Sequence, residues 1–63
     1  MNKLNIQDLF TQKIVNKILQ RASHDKKGDY RIYNAYKHEI EDLVLSPKDY
    51  EQVIRELTKV LKV

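Results

Sequence analysis

The sequence predicts an all-α fold, a compact three-helix bundle or open helical array, formed by a single domain over residues 1–63. Apolar residues recur at intervals of three and four in three segments, which is the period of an amphipathic helix. The only glycine lies between two of these segments, and the only proline stands at the start of the third. The predicted helices cover about residues 5–22, 29–44 and 47–62.

The first predicted helix covers residues 5–22. Asn5 is placed at the N-cap and Asp8 at the capping-box position, with Leu4 and Leu9 at the positions of a hydrophobic staple. The apolar residues that follow cover about half of the helix circumference: Phe10, Ile14, Val15, Ile18, Leu19 and Ala22. So wide a stripe favours a homodimer, in which a second copy covers part of it. The alternative is a monomer in which helix 1 is central and touches both other helices.

The second predicted helix covers residues 29–44 and follows a polar loop, SHDKKGD. The stretch DYRIY alternates and is rich in residues that favour β-structure, so a short strand over residues 29–36 is the alternative. Such a strand would have no partner strand in this chain. Helical spacing continues through five apolar positions: Tyr33, Tyr36, Ile40, Leu43 and Val44. We therefore expect a helix.

The third predicted helix covers residues 47–62 and has the clearest start signal. Ser46 is a favoured N-cap, Pro47 suits the first helical position, and Asp49 completes a capping box. Leu45 and Tyr50 stand at the staple positions on either side. The apolar stripe consists of Tyr50, Val53, Ile54, Leu57, Val60 and Leu61.

Length and composition restrict the protein class. A chain of 63 residues buries only about 60% of the surface that its unfolded form exposes, so its stability is marginal. Charged residues make up 33% and apolar residues 41%, a composition typical of folded proteins. No apolar run reaches the length of a membrane span, and the N-terminus lacks the apolar core of a signal peptide. We expect a cytoplasmic protein with no membrane contact, and the absence of cysteine is compatible with that location.

Few residues are candidates for catalysis or metal binding. His38 has Glu41 and Asp42 three and four positions later, a spacing that can hold a metal or orient a general base. His24 and Asp25 form a second pair in the loop. Neither pair has a third ligand at a recognisable spacing, so exposed surface pairs are favoured. The sequence predicts a non-enzyme with no catalytic residue, no metal and no cofactor.

Basic residues concentrate at the N-terminal end. Residues 1–28 carry six basic and two acidic side chains, net +4, whereas residues 29–45 are net −2 and the whole chain is +3. Basic side chains that could contact a polyanion follow helix 1 at intervals of four and continue into the loop: Lys13, Lys17, Arg21, Lys26 and Lys27. The favoured alternative is an ordinary solvent-exposed face. Nucleic-acid binding is thus possible but secondary.

Three tyrosines, Tyr30, Tyr33 and Tyr36, are spaced three apart and share one side of the second predicted helix. Tyrosine is common at protein interfaces, because it buries a large area and has a polar tip. The sequence makes these three the candidates for contact with a protein partner. Packing in the core is the favoured alternative, since Ile40 and Leu43 continue the same face, and base stacking is a weaker one.

The C-terminal segment LSPKDYEQVIRELTKVLKV resembles the last helix of many short helical proteins encoded by phages and mobile elements of Gram-positive bacteria. The matching residues are Leu45, Ser46, Pro47, Asp49, Tyr50, Ile54 and Leu57. The resemblance covers under a third of the chain and carries no functional residue. It implies a small accessory protein that binds a larger host or phage protein.

The predicted function is therefore that of a non-enzymatic helical protein, self-associating, that binds and modulates a larger protein of unknown identity by covering part of its surface. A small DNA-binding regulator that uses the basic side of helix 1 is the second hypothesis. A purely structural oligomerisation piece is the third.

Overall fold

The computed structural model describes residues 8–63, which form three helices: α1 (Leu9–Ser23), α2 (Tyr30–Glu41) and α3 (Pro47–Leu61). The all-α prediction is confirmed, and no strand occurs within this range. All three helices touch one another, but the two more extensive interfaces are those of α3 with α1 and with α2. The central helix is therefore α3, and not α1 as in the monomeric alternative.

The core receives three side chains from each helix. They are Val15, Ile18, Ala22, Tyr33, Tyr36, Ile40, Val53, Leu57 and Leu61. Within each helix these residues are three or four positions apart, so the apolar stripes read from the sequence do meet in one core. Ile14, by contrast, lies at the edge of the core and is only half-buried.

Helix α1 begins later than predicted. Asp8 has extended backbone angles (φ −75°, ψ 112°) and is the N-cap, so its predicted place inside the helix is wrong. Its carboxylate accepts hydrogen bonds from the Phe10 N–H at 3.3 Å and from the Thr11 hydroxyl at 2.5 Å. Aspartate satisfies free N–H groups at a helix start as well as asparagine does. The predicted staple and cap residues Leu4 and Asn5 lie outside the described residues.

Helix α2 is confirmed over the stretch where a strand was the alternative. Asp29 caps it, since its carboxylate accepts a hydrogen bond from the Arg31 N–H at 2.9 Å. Its predicted end at Val44 is wrong, because the helix stops at Glu41 and Val44 has a φ of +53°. The chain must reverse direction before the cap at Ser46, and the last three residues assigned to the helix form that turn instead.

Helix α3 begins as predicted, and Ser46 Oγ accepts a hydrogen bond from the Asp49 N–H at 3.3 Å. The helix ends at Leu61, one residue before the predicted end. The Leu61 carbonyl accepts a hydrogen bond from the Gly28 N–H at 2.6 Å, so the α1–α2 loop covers the end of α3. Gly28 has a φ of +76°, a conformation that favours glycine.

Candidate protein-interaction surface

The N-terminal part of α1 exposes large apolar side chains. Leu9 is 70% and Phe10 73% exposed. Phe10 also lines an open groove of about 320 Å³, which we call the α1 groove, together with Lys13, Ile14, Asn16 and Lys17. Its lining is apolar at Phe10 and Ile14 and basic at Lys13 and Lys17, a combination suited to an amphipathic ligand.

Helix geometry explains why this apolar surface remains uncovered. At about 100° per residue, Phe10, Ile14 and Lys17 project within about 60° of one another. Phe10 points roughly 110° away from the mean direction of the residues that α1 contributes to the core. The core of the monomer covers only part of the wide stripe. The N-terminal part of the stripe faces outward. The homodimer prediction requires such an exposed apolar surface.

Two lysines of the α1 groove are free to contact a ligand. Lys13 and Lys17 are exposed and form no ion pair or hydrogen bond with residues 8–63. In the α1–α2 loop, Lys26 is exposed and likewise has no partner among the described residues. These three residues are what remains available of the predicted polyanion-contact set.

Arg21 and Lys27 already have partners within the fold. Arg21 Nη1 donates to Glu39 Oε1 at 2.9 Å, and its guanidinium carbon lies 5.5 Å from the centre of the Tyr36 ring. Lys27 Nζ donates to the Ser23 carbonyl at 2.6 Å, near the C-terminal end of α1, where a cation is favourable. The predicted basic ridge is therefore interrupted at both of these residues.

The three predicted interface tyrosines lie in two different environments. Tyr33 and Tyr36 are each 8% exposed and belong to the core, which was the favoured alternative for them. Burial, together with the Asp25 carboxylate that accepts the hydrogen bond of the Tyr36 hydroxyl, raises the pKa of Tyr36. Tyr30 is 63% exposed, with its ring 5.4 Å from that of Tyr33. Of these three tyrosines, Tyr30 alone is exposed enough to contact another molecule.

The turn between α2 and α3 carries a feature that the sequence analysis missed. Val44 is 88% exposed, and its positive φ is rare for a β-branched residue. Asp42, two residues earlier, is exposed and has no ion pair within residues 8–63. We call residues 42–46 the Val44 turn. In the sequence, Val44 continues the helical spacing of α2, so the spacing predicts a helix at this position and not a turn. Only the acidic charge of the stretch 29–45 pointed to an exposed surface here.

Of the two predicted His–carboxylate pairs, the one at His38 forms in the structure and the one between His24 and Asp25 does not. His38 Nδ1 lies 3.3 Å from Glu41 Oε1, and the His38 side chain is 79% exposed. The other oxygen of Glu41 accepts a hydrogen bond from the Tyr50 hydroxyl at 2.9 Å, and burial and this carboxylate raise the pKa of Tyr50. Asp25 accepts from Tyr36 and not from His24. Within residues 8–63, no three His, Asp or Glu side chains form a cluster that could hold a metal ion.

No family model, no curated protein and no solved structure matches this chain. The resemblance of the C-terminal segment to phage and mobile-element proteins therefore stays a prediction. Across the part of the chain that the structure describes, none of the helices has the length and apolar character needed to cross a membrane.

Proposed function

We propose that this chain is a non-enzymatic cytoplasmic protein that binds and modulates a larger protein through the α1 groove, and that it also self-associates. The resemblance of the C-terminal helix supports the role of a phage or mobile-element accessory protein. Binding would act by occlusion, because a helix laid across a partner's surface excludes other ligands from it.

The observation that carries the proposal is the exposure of Phe10 beside Lys13 and Lys17, which have no partner among residues 8–63. A single exposed apolar side chain is ordinary in a monomer. Here Phe10 and the half-buried Ile14 lie on one side of α1 and line the same groove, and such contiguous apolar patches are typical of binding sites. Full burial of one phenylalanine side chain contributes about 1.5–3 kcal/mol, so Phe10 suits the role of an anchor.

The test compares two groove variants with a control of matched charge. Phe10→Ser removes the anchor, and Lys17→Glu reverses one flanking charge. Lys48→Glu makes the same charge change at an exposed lysine of α3. Proteins retained by the wild type from a lysate of the natural source are identified by mass spectrometry, purified, and titrated by calorimetry against all four chains.

We expect a purified partner to bind the wild type and Lys48→Glu equally. Loss of the anchor should weaken binding at least about tenfold, since 1.4 kcal/mol corresponds to that factor. Equal affinity of the wild type and Phe10→Ser for every purified partner would contradict the proposal, as would the absence of any stoichiometric partner.

The exposure of Lys13, Lys17 and Lys26 favours a second candidate function, binding to DNA. Three phosphate contacts predict a slope of only about −2.7 for the logarithm of affinity against the logarithm of salt concentration. Fluorescence anisotropy with a short labelled duplex, at low and at physiological salt, measures this slope. Binding that persists at physiological salt and is lost in Lys13→Ala combined with Lys17→Ala would support DNA binding over protein binding.

A further inference from the structure

We propose that the α1 groove of one copy binds the Val44 turn of a second copy. The contact is heterologous, because a groove on one chain meets a turn on the other. This inference rests on the proposed function in one respect only, namely that the α1 groove is a binding surface. It specifies the self-association by naming the two surfaces that meet and the side chains that hold them together.

The charge of the groove argues against a contact between two identical grooves. Helix α1, LFTQKIVNKILQRAS, contains no acidic residue. Placing one α1 groove against another would bring Lys13 and Lys17 of both copies together, and like charges that face each other across an interface are unfavourable. The occupant that fits has an apolar side chain to contact Phe10 and Ile14, and at least one carboxylate to pair with the lysines.

The Val44 turn has both of these properties. Val44 is the most exposed of the large apolar residues between positions 8 and 63, at 88%. Asp42 is exposed and unpaired among the described residues, whereas the nearby Glu39 is paired with Arg21. The turn also belongs to the acidic stretch 29–45, which is net −2, and the groove belongs to the basic stretch 1–28, which is net +4. The two surfaces are therefore complementary in charge and both apolar at their centres.

Backbone strain at Val44 is an independent observation that supports the proposal. Its φ of +53° is far less costly for glycine or asparagine than for a β-branched residue. At 88% exposure, the Val44 side chain buries little surface in the monomer, and contact of an apolar side chain with water is unfavourable. Strained residues occur where function requires them, and an apolar side chain offered to a second copy is such a requirement.

Sedimentation velocity over a range of protein concentrations tests the contact. The variants are Val44→Asn, Lys17→Glu and Asp42→Lys, with Lys48→Glu as the charge control. Val44→Asn is the decisive variant, because asparagine tolerates the backbone conformation and the variant should fold at least as well as the wild type. Thermal unfolding of each variant, followed by circular dichroism, verifies this.

We expect the wild type and Lys48→Glu to self-associate and the other three variants to sediment as monomers. Mixing Lys17→Glu with Asp42→Lys should restore assembly, since the first variant keeps an intact turn and the second an intact groove. The double variant, which exchanges the two charges, should also self-associate. Unchanged self-association of Val44→Asn, a wild type that is monomeric at every concentration, or a mixture that stays monomeric would overturn the inference.

The two proposals can fail separately. If the wild type is monomeric while a purified partner still needs Phe10, self-association and the Val44 contact are wrong, and the binding of a larger protein through the α1 groove stands. If self-association depends on Val44 and Lys17 but no partner binding depends on Phe10, the contact between copies stands and the binding of a larger protein is wrong.

Discussion

Arg21 lies over the ring of Tyr36, with its guanidinium carbon 5.5 Å from the ring centre, and also donates a hydrogen bond to Glu39. One side chain of α1 thus contacts two residues of α2. A cation over an aromatic face is attracted by the negative charge of that face. The residue that sequence analysis assigned to a polyanion is therefore engaged in holding two helices together.

Arg21→Gln should lower the urea concentration at which the protein is half unfolded, because it removes both contacts between α1 and α2. Lys17→Gln is the matched control, since Lys17 lies one turn earlier on α1 and has no partner within residues 8–63. Chemical unfolding followed by circular dichroism measures both midpoints. Equal midpoints for the two variants would mean that the Arg21 contacts do not stabilise the fold.

Leu57→Ala should remove a large share of the stability of the fold and lower its thermal midpoint. Leu57 is fully buried on the central helix, and replacing such a leucine by alanine costs about 2–5 kcal/mol. At 0.05–0.15 kcal/mol per residue, a chain of this length has a total stability of about 3–9 kcal/mol. Helical circular dichroism at 25 °C and its thermal midpoint are the measurements. Lys48→Ala, on the exposed side of α3, should change stability by less than about 0.5 kcal/mol.

Gly28→Ala should reduce stability by about 1–2 kcal/mol, the usual cost of a left-handed conformation for an L-residue. A β-carbon at this position would meet no atom within 4 Å, so the loss should come from the backbone and not from a clash. Gly28→Asn separates the two causes, because asparagine tolerates positive φ and should lose less. If both variants lose the same amount in urea unfolding, backbone conformation is not the cause.

Val44→Asn should raise stability by up to about 1 kcal/mol, because it relieves the same kind of backbone strain at a site where the side chain is exposed. The free energy of unfolding should be measured at a protein concentration where the wild type is monomeric, because self-association would stabilise the wild type. A lower stability of the variant under these conditions would show that the valine side chain contributes to the fold of the monomer.

The stability of the fold should decline above pH 10, and Tyr36→Phe should weaken that decline. The pKa of Tyr36 is raised in the folded chain by burial and by the Asp25 carboxylate. Below the pKa of an unfolded tyrosine, about 10, Tyr36 makes its full contribution to the stability of the folded state. This contribution is lost as the pH rises through the folded-state pKa. Urea unfolding at pH 8 to 11 tests it, and the exposed Tyr30→Phe should retain the wild-type decline.

Local chemistry accounts for what could be predicted correctly. Ser46 and Pro47 mark the start of α3 because capping depends on atoms within one helical turn. The stripe containing Val53, Leu57 and Leu61 points to the core because the helical period alone sets that direction. Errors arose at Asp8 and Val44, where a helix pattern continued in the sequence but the chain did not continue as a helix. At Val44 the cause is the turn that α2 must make to pack against α3.

The roles of the charged and aromatic residues were not predictable in the same way. Lys17 and Arg21 are equivalent in sequence, one turn apart on one face of α1. Only the packing of α2 against α1 brings Glu39 and Tyr36 to Arg21, whereas Lys17 has no partner within residues 8–63. Tyr30 and Tyr33 are likewise three residues apart, yet one is exposed and the other lies in the core.

The sequence by itself determined that the chain forms three amphipathic helices, where the third begins, and on which side of each helix the core residues lie, because period and capping are properties of neighbouring residues. Only the tertiary structure decided that α3 is central, that Phe10 and Val44 remain exposed, and that Lys13 and Lys17 have no partner within residues 8–63. These outcomes depend on the angles and distances between helices, which bring together residues far apart in the chain.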